Sequence, residues 1–388
     1  MLIVNGKILT MAGDTFDHGF VHIRDHKIES AGPMEDLGRR AAHDYDDVLD
    51  VNGAWVMPGI IEAHCHIGIT EEKHGAIGDD CNEMTTPVTP QLRAIDAINP
   101  MDPAFHEAIM AGITSVMAGP GSANVVGGQF AFIKTHGRCI DRMIVKAPAA
   151  MKVAFGENPK VNYGDKDRMP GTRMAIAAML REEITRALAY KKKKDNGALE
   201  EIDLGMEAWI PVLNREIPLK AHVHQADDIL TAIRIAKEFD LKMTLDHCTE
   251  GHLITEEIVE SGFPAIVGPD LTSRSKIEVE NMSFKTNRIL NEAGITIAIT
   301  TDHPVSIIRY LPLCAGLAVR QGLPLMDGLK AITINAAKIC GVDDRVGSIE
   351  KGKDADIAIF DGNPMETMTH TLYTIIDGEI VYDHENDH

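Results

Sequence analysis

The sequence predicts an α/β fold: a (β/α)8 TIM-type barrel carrying a small composite β-sandwich domain formed by both chain termini. Three observations predict it. Short β runs separated by turn dipeptides fill both ends of the chain. Between them, apolar β runs alternate with helical stretches, the pattern of βα units around a parallel sheet. About eight such runs occur, the number that closes a barrel of this kind.

The elements follow in order. Leu2-Ile3-Val4 precedes Asn5-Gly6, a tight-turn pair, and Lys7-Ile8-Leu9-Thr10 follows it. Short strands at residues 20–23, 27–30 and 48–51 complete a first β segment, taken as residues 1–55, which lacks any chemical cluster. The barrel is taken as residues 56–342. Its strand ends are expected at His66, Pro120, Gly156, His224, His247, Pro269 and Asp302, with a further strand in 130–135 or 143–146. Residues 227–239 carry Ile229, Leu230, Ile233, Ile235 and Ala236 at helical spacing, and 173–190 reads similarly. Residues 343–388 return to β runs, with Asp377-Gly378 as a hairpin turn.

Composition excludes several classes. The chain has 388 residues, 44% hydrophobic and 25% charged, which is ordinary for a folded protein. A formal net charge of −20 disfavours nucleic acid and anionic membranes as partners. The basic run 191–194 is read as a solvated helix end. Six cysteines without a CxxC pair do not make a disulfide scaffold, and with 19 methionines they point to a reducing, cytoplasmic setting. The opening residues lack the basic segment and apolar run of a signal peptide. No apolar run reaches the ~18 residues that span a bilayer.

The chemistry sits at the predicted strand ends. In a barrel of this kind these ends form the reactive face. Residues i and i+2 of a strand share a face, so His64 and His66 can aim two imidazoles at one point. Later ends bring Lys152 and Glu157, His222 and His224, His247, then Asp302 and His303. Imidazoles and carboxylates around one opening are ligands for a divalent metal such as zinc. The expected ligands are His64, His66, His247 and Asp302, with either His222 or His224, and either Lys152 or Glu157. An unmodified lysine ammonium has no lone pair for a metal, whereas a carboxylated Lys152 would bridge two ions. Asp302 is the expected general base, taking a proton from attacking water and returning it to a leaving nitrogen, with His247 beside it. Cys65 and Cys248 are turned away by the strand period. His74, His106, His136, His252 and His370 fall outside the pattern and are read as surface or helix residues.

Two loops are candidates for reading a small-molecule substrate. Residues 119–129 are glycine-rich and end in Gln129; they suit either an anion or a close backbone crossing. Residues 68–100 form a long acidic loop, suited to a cationic group or simply to solvent. His224, Gln129, Arg274 and His303 are the expected substrate contacts. Arg274 and Lys276 are placed to receive a carboxylate.

The chain resembles the amidohydrolase superfamily nearly end to end. Asn5-Gly6-Lys7-Ile8, the stretch from Val56-Met57-Pro58-Gly59 to His64-Cys65-His66, and Asn335-Ala336-Ala337-Lys338-Ile339 with Gly347-Ser348-Ile349-Glu350 to Asp354-Ala355-Asp356 are similar to its opening, metal-binding and closing segments. Leu245-Asp246-His247-Cys248 and Lys152-Val153-Ala154-Phe155-Gly156 resemble the imidazolonepropionase and prolidase-like branch. The resemblance implies a barrel with a composite β-sandwich, and hydrolysis of an amide, cyclic amide or dipeptide-like bond through a metal-activated water. It also implies one ion if Lys152 is unmodified and two if it is carboxylated. His222-Val223-His224-Gln225, Glu157-Asn158-Pro159 and Asp302-His303-Pro304 depart from that branch and leave the substrate open. Two alternatives stand beside this reading: a deaminase of a heterocycle or guanidine-type substrate, and a silent binding subunit. A homo-oligomer is a further expectation for a chain of this kind.

Overall fold

A computed structural model of the chain describes residues 1–37, 47–72 and 75–386. His74 and the last two residues lie outside the described residues. In chain order the strands are β1 (Leu2–Leu9), β2 (Thr15–Arg24), β3 (Lys27–Pro33), β4 (Val48–Asp50), β5 (Trp55–Pro58), β6 (Ile60–Cys65), β7 (Ile113–Ala118), β8 (Val126–Lys134), β9 (Ile144–Ala154), β10 (Leu219–Val223), β11 (Met243–His247), β12 (Ala265–Val267), β13 (Ile297–Ile299), β14 (Ile357–Phe360), β15 (Thr371–Ile376) and β16 (Glu379–Asp383).

Both ends of the chain build one sheet, ordered β16-β15-β14-β5-β1-β2-β3, with β4 beside β1. Its join is antiparallel: Val56 of β5 faces Ile359 of β14. Two details differ from expectation. Asn5-Gly6 does not turn the chain; β1 runs through it, with Asn5 at φ 60° and a register shift between Ile3 and Gly6. The extra residue is absorbed as a bulge. The hand-over to the barrel falls at Gly59 rather than at Val56. A Cβ at Gly59 would lie 2.1 Å from the Thr114 hydroxyl, so the crossing admits only glycine. Asp377-Gly378 does form the hairpin turn, with φ of 50° and 79°.

The second sheet, in the order β13-β12-β11-β10-β9-β8-β7-β6, curls into a nearly closed TIM-type barrel. Side chains help to close the seam between β13 and β6. The Thr300 hydroxyl donates to the His64 carbonyl (2.7 Å), and the Thr301 amide and hydroxyl donate to Glu62 (2.9 and 2.7 Å). One strand departs from the expected parallel set: β8 pairs antiparallel with both β7 and β9. The reason is chain length. Residues 119–125 join β7 to β8, too few for the crossover that a parallel neighbour requires.

Helices wrap the barrel as the periodicity predicts. The helix Ala226–Glu238 buries Ile229, Ala232, Ile233 and Ala236 against the strands. Full burial of one such isoleucine contributes about 1.5–3 kcal/mol. The helix Arg173–Asp195 ends in the basic run, where Lys194 pairs with Glu207. Among the described residues no helix is long and apolar enough to cross a membrane.

Candidate metal centre

Strand ends bring six predicted side chains to the C-terminal mouth of the barrel, and they fall into two groups. His64, His66 and Asp302 form one; His222, His224 and His247 form the other. Within each group the potential ligand atoms lie within 4.8 Å of one another. The groups adjoin, with the rings of His64 and His247 centred 5.1 Å apart, and within the second group those of His222 and His247 lie 4.5 Å apart. Both His222 and His224 therefore reach the site, where the sequence reading chose between them.

Backbone geometry makes this convergence possible. His247 and Asp302 hold φ of 73° and 52°. Such values are uncommon for non-glycine residues and collect at functional sites. The turn at His247 interrupts strand alternation. His247 reaches the histidine group while Asp246, one residue earlier, still faces the barrel interior.

Hydrogen bonds fix three imidazole tautomers. Nδ1 of His66 lies 2.7 Å from the Gly119 carbonyl, Nδ1 of His247 lies 2.8 Å from the Gly268 carbonyl, and Nδ1 of His64 lies 2.7 Å from Asp246 Oδ2. Each partner is an acceptor, so each Nδ1 carries the proton and each Nε2 keeps its lone pair. Nδ1 of His224 meets the Thr249 hydroxyl at 2.7 Å, which allows either tautomer. Burial holds His64, His222 and His247 well below the ordinary histidine range and His224 at about 4, so these imidazoles are neutral.

Opposite them stands the Asp302 carboxylate. Asp302 Oδ1 is buried and lacks a hydrogen-bond partner, 3.2 Å from His66 Nε2 and 3.5 Å from His64 Nε2. Burial alone would raise Asp302, but His247 and His66 outweigh it and hold the carboxyl below its usual range. Burial opposes a charged His66, yet Cys81 and Asp302 lift it to about 10. Lone pairs of the four neutral imidazoles, a His66 ring whose Nε2 proton a cation would displace, and the Asp302 carboxylate converge here, and a divalent cation fits that donor set.

Other predicted residues take varied places. Lys152 is fully buried with Nζ 3.3 Å from His64 Nε2, and burial lowers it to about 8. Glu157 is not in either group. It opens the helix Glu157–Gly164, and its Oε2 accepts from the Glu278 amide (3.4 Å). His303 is fully buried, with its Nε2 3.9 Å from Glu72, and burial lowers it to about 4. Lys276 reaches Asn158, beside His222.

Two expected substrate contacts point elsewhere. Gln129 donates to the Pro90 carbonyl (3.1 Å), while its neighbour Phe130 stands against the His64 ring; strand alternation turns Gln129 outward. Arg274 donates to the carbonyls of Glu280 and Met282 in its own loop (2.8 and 2.9 Å). The glycine-rich loop is also committed. Its Gly121 and Ala123 amides donate to the Cys81 carbonyl and to Asn82. A Cβ at Gly128 would lie 2.6 Å from the Leu92 carbonyl. This is the close-crossing reading of that loop.

Four residues of the centre escaped the sequence reading. Asp246 is fully buried and also pairs with Lys220 (3.0 Å), itself buried and bonded to the Ala63 carbonyl. Cys81, from the long loop, stands beside His66 and favours its charged form. Glu278 lies 3.6 Å from His222 Nε2. Lys220 was open to discovery, standing two residues before His222 on the same face of its strand.

A barrel with histidines and an aspartate converging on its C-terminal mouth defines a class of metal-dependent enzyme sites. The profile of the Amidohydrolase family matches residues 55–381, and the chain belongs to that family. It is 40% identical to an amidohydrolase from Thermotoga maritima of solved structure, with a TM-score of 0.94 over 98% of this chain and 99% of that one. It is 28% identical to amidohydrolase tasK of Hapsidospora irregularis over 87% of its own length, and spans 37% of that relative. An imidazolonepropionase of Sphingopyxis alaskensis is 24% identical, covering 93% and 92% of the two chains.

Proposed function

We propose that the protein is a divalent-metal-dependent hydrolase of a carbon–nitrogen bond in a small molecule. The bond would be an amide, a cyclic amide or a dipeptide-like linkage. The observation that carries this reading is the meeting of neutral imidazole lone pairs with the unpartnered Asp302 carboxylate. Relatives named for imidazolonepropionase, dihydroorotase and deaminase activities support the bond class.

His64, His66, His222, His224, His247 and Asp302 would hold the metal, zinc on the chemistry of the donors, with one ion or two according to the state of Lys152. Such a cation supplies Lewis acidity, lowering the pKa of a water to about 7 and polarising a carbonyl. The chain's own groups do the rest. Asp246 and the Gly119 and Gly268 carbonyls hold His64, His66 and His247 in the required tautomer. Asp302 accepts the proton of the attacking water and passes it to the leaving nitrogen. Lys276 and the unpartnered Nε2 of the buried His303 would bind substrate polar groups. The terminal sheet, residues 1–58 with 343–388, supports the barrel as a composite domain, and the setting is cytoplasmic.

The test is a panel of cyclic amides and dipeptides assayed on zinc-loaded protein, before and after chelation. Chelator-sensitive release of a free amine and acid supports the proposal. Ammonia release from heterocycles instead would move the reaction to a deaminase. Inertness toward both panels would leave a binding subunit.

A further inference from the structure

The chain after β12 crosses the mouth of the barrel and is fastened beside β9, three strands away in the sheet. Glu278 Oε2 accepts from the Glu157 amide at 2.9 Å, and Glu157 Oε2 accepts from the Glu278 amide at 3.4 Å. Lys276 Nζ donates to Asn158. Glu157 and Asn158 stand just past β9. This strap carries two opposite charges over the site. The Glu278 side chain is 1% exposed, and its Oε1 has no hydrogen-bond partner. That oxygen faces His222 Nε2 at 3.6 Å, His224 Nε2 at 3.8 Å and Lys276 Nζ at 3.7 Å, each too far for a hydrogen bond. Buried carboxylate oxygens are ordinarily supplied with donors. Lys276 is the open wall of this pocket, its side chain 38% exposed on a flexible stem.

We propose that Glu278 and Lys276 determine specificity by reading the two charges of an amino-acid head group, its α-ammonium at Glu278 Oε1 and its α-carboxylate at Lys276 Nζ. The inference rests on the small-molecule hydrolase reading above and deepens it by naming the substrate class. The protein's two charges stand 3.7 Å apart, and those of an α-amino acid flank a single carbon, so one head group spans both. An ammonium brings the donors that Glu278 Oε1 lacks, and a carboxylate brings only acceptors, which suit a lysine. A head group without the ammonium leaves the buried oxygen unpaired, and a site built on that contact rejects it. With both α-groups held, the carbon–nitrogen bond to be cut lies in the side chain of the amino acid or in a ring closed through it.

The experiment is calorimetric binding of L-leucine, isocaproate and isoamylamine to the full-length protein, zinc-loaded and metal-free. Isocaproate lacks the ammonium of leucine and isoamylamine lacks its carboxylate, and none of the three has an amide to cleave. Leucine should bind roughly 10–100-fold more tightly than either. Glu278→Gln should erase the preference over isocaproate and keep that over isoamylamine; Lys276→Met should do the reverse. The preference should persist in metal-free protein, which separates it from chelation of zinc by the amino acid. Thermal melts establish folding, and Lys276→Met, at an exposed position, carries the test if Glu278→Gln does not fold. Equal binding of the three probes, no binding of leucine, or an unchanged preference in a folded variant overturns the inference. Chelator-sensitive amide hydrolysis indifferent to the head group would overturn it and leave the hydrolase reading standing. Leucine binding with the expected preferences, in a protein that cleaves no amide, would support the pair and overturn the hydrolase reading.

Discussion

His64 Nδ1 lies 2.7 Å from Asp246 Oδ2, and neither side chain has exposed surface. The carboxylate can only accept, so it fixes the proton on Nδ1 and aims the Nε2 lone pair into the site. Asp246 also neutralises Lys220 at 3.0 Å. Asp246→Asn should weaken metal binding about 10–100-fold. It should also lower Tm, because a buried ammonium loses its partner. Adding Lys220→Met should restore Tm without restoring metal affinity. Recovery of both in the double variant would show that Asp246 acts only through charge balance.

Asp302 holds an oxygen free of donors at the mouth of the barrel. Asp302→Asn keeps the shape and removes the base. Hydrolysis of the best substrate found in the panel should fall about 10²–10⁴-fold in kcat. Steady-state kinetics on a variant with wild-type melting behaviour measure this. Activity within a few-fold of wild type would assign the proton transfer elsewhere.

A buried clasp joins the barrel to the terminal sheet. Lys134 of β8 meets Asp354 (3.0 Å), Asp356 and Asp377 (3.4 Å). Burial alone would lower Lys134, but Asp356 and Asp354 outweigh it and raise it above its ordinary value. A raised lysine contributes stability that is fully present below about pH 10.4 and is lost as pH climbs through the folded value. Lys134→Met should therefore cost about 3–5 kcal/mol at neutral pH, since it strands buried carboxylates. The gap between wild type and variant should narrow above pH 10.4. Urea unfolding across pH reads both effects, and a gap that stays constant into alkali would contradict the clasp.

Gly119 presents another check. A Cβ there would lie 2.2 Å from the Phe130 ring, which stands 5.3 Å from the His64 ring. Its carbonyl also orients His66. Gly119→Ala should destabilise by roughly 1–3 kcal/mol through overpacking and weaken metal binding with it. Loss of stability with untouched metal affinity would separate Phe130 from the site.

How far the sequence revealed this centre depends on where each residue stands. His64, His66, His222, His224, His247 and Asp302 sit at or just past strand ends, and strand period with apolar flanks locates such positions. Asp246 was obscured because alternation from His247 turns it away; the positive φ at His247 is what undoes that rule. Glu278 lies in a single 3-10 turn, Ile277–Val279, well past β12, too short for any period to mark it. Gln129 and Arg274 were chosen for their chemistry in loops, and each is held by a backbone carbonyl that spacing does not reveal. The antiparallel β8 was readable in principle from the short link before it, and the count of β runs concealed it.

The most direct test of the account is the metal content of the purified protein beside His64→Ala/His66→Ala, each loaded with zinc, freed of excess and counted per chain. The account predicts bound zinc in the wild type and the loss of the ion held by His64, His66 and Asp302 in the variant, together with loss of hydrolysis. A variant that is folded and retains the full wild-type metal content would contradict it.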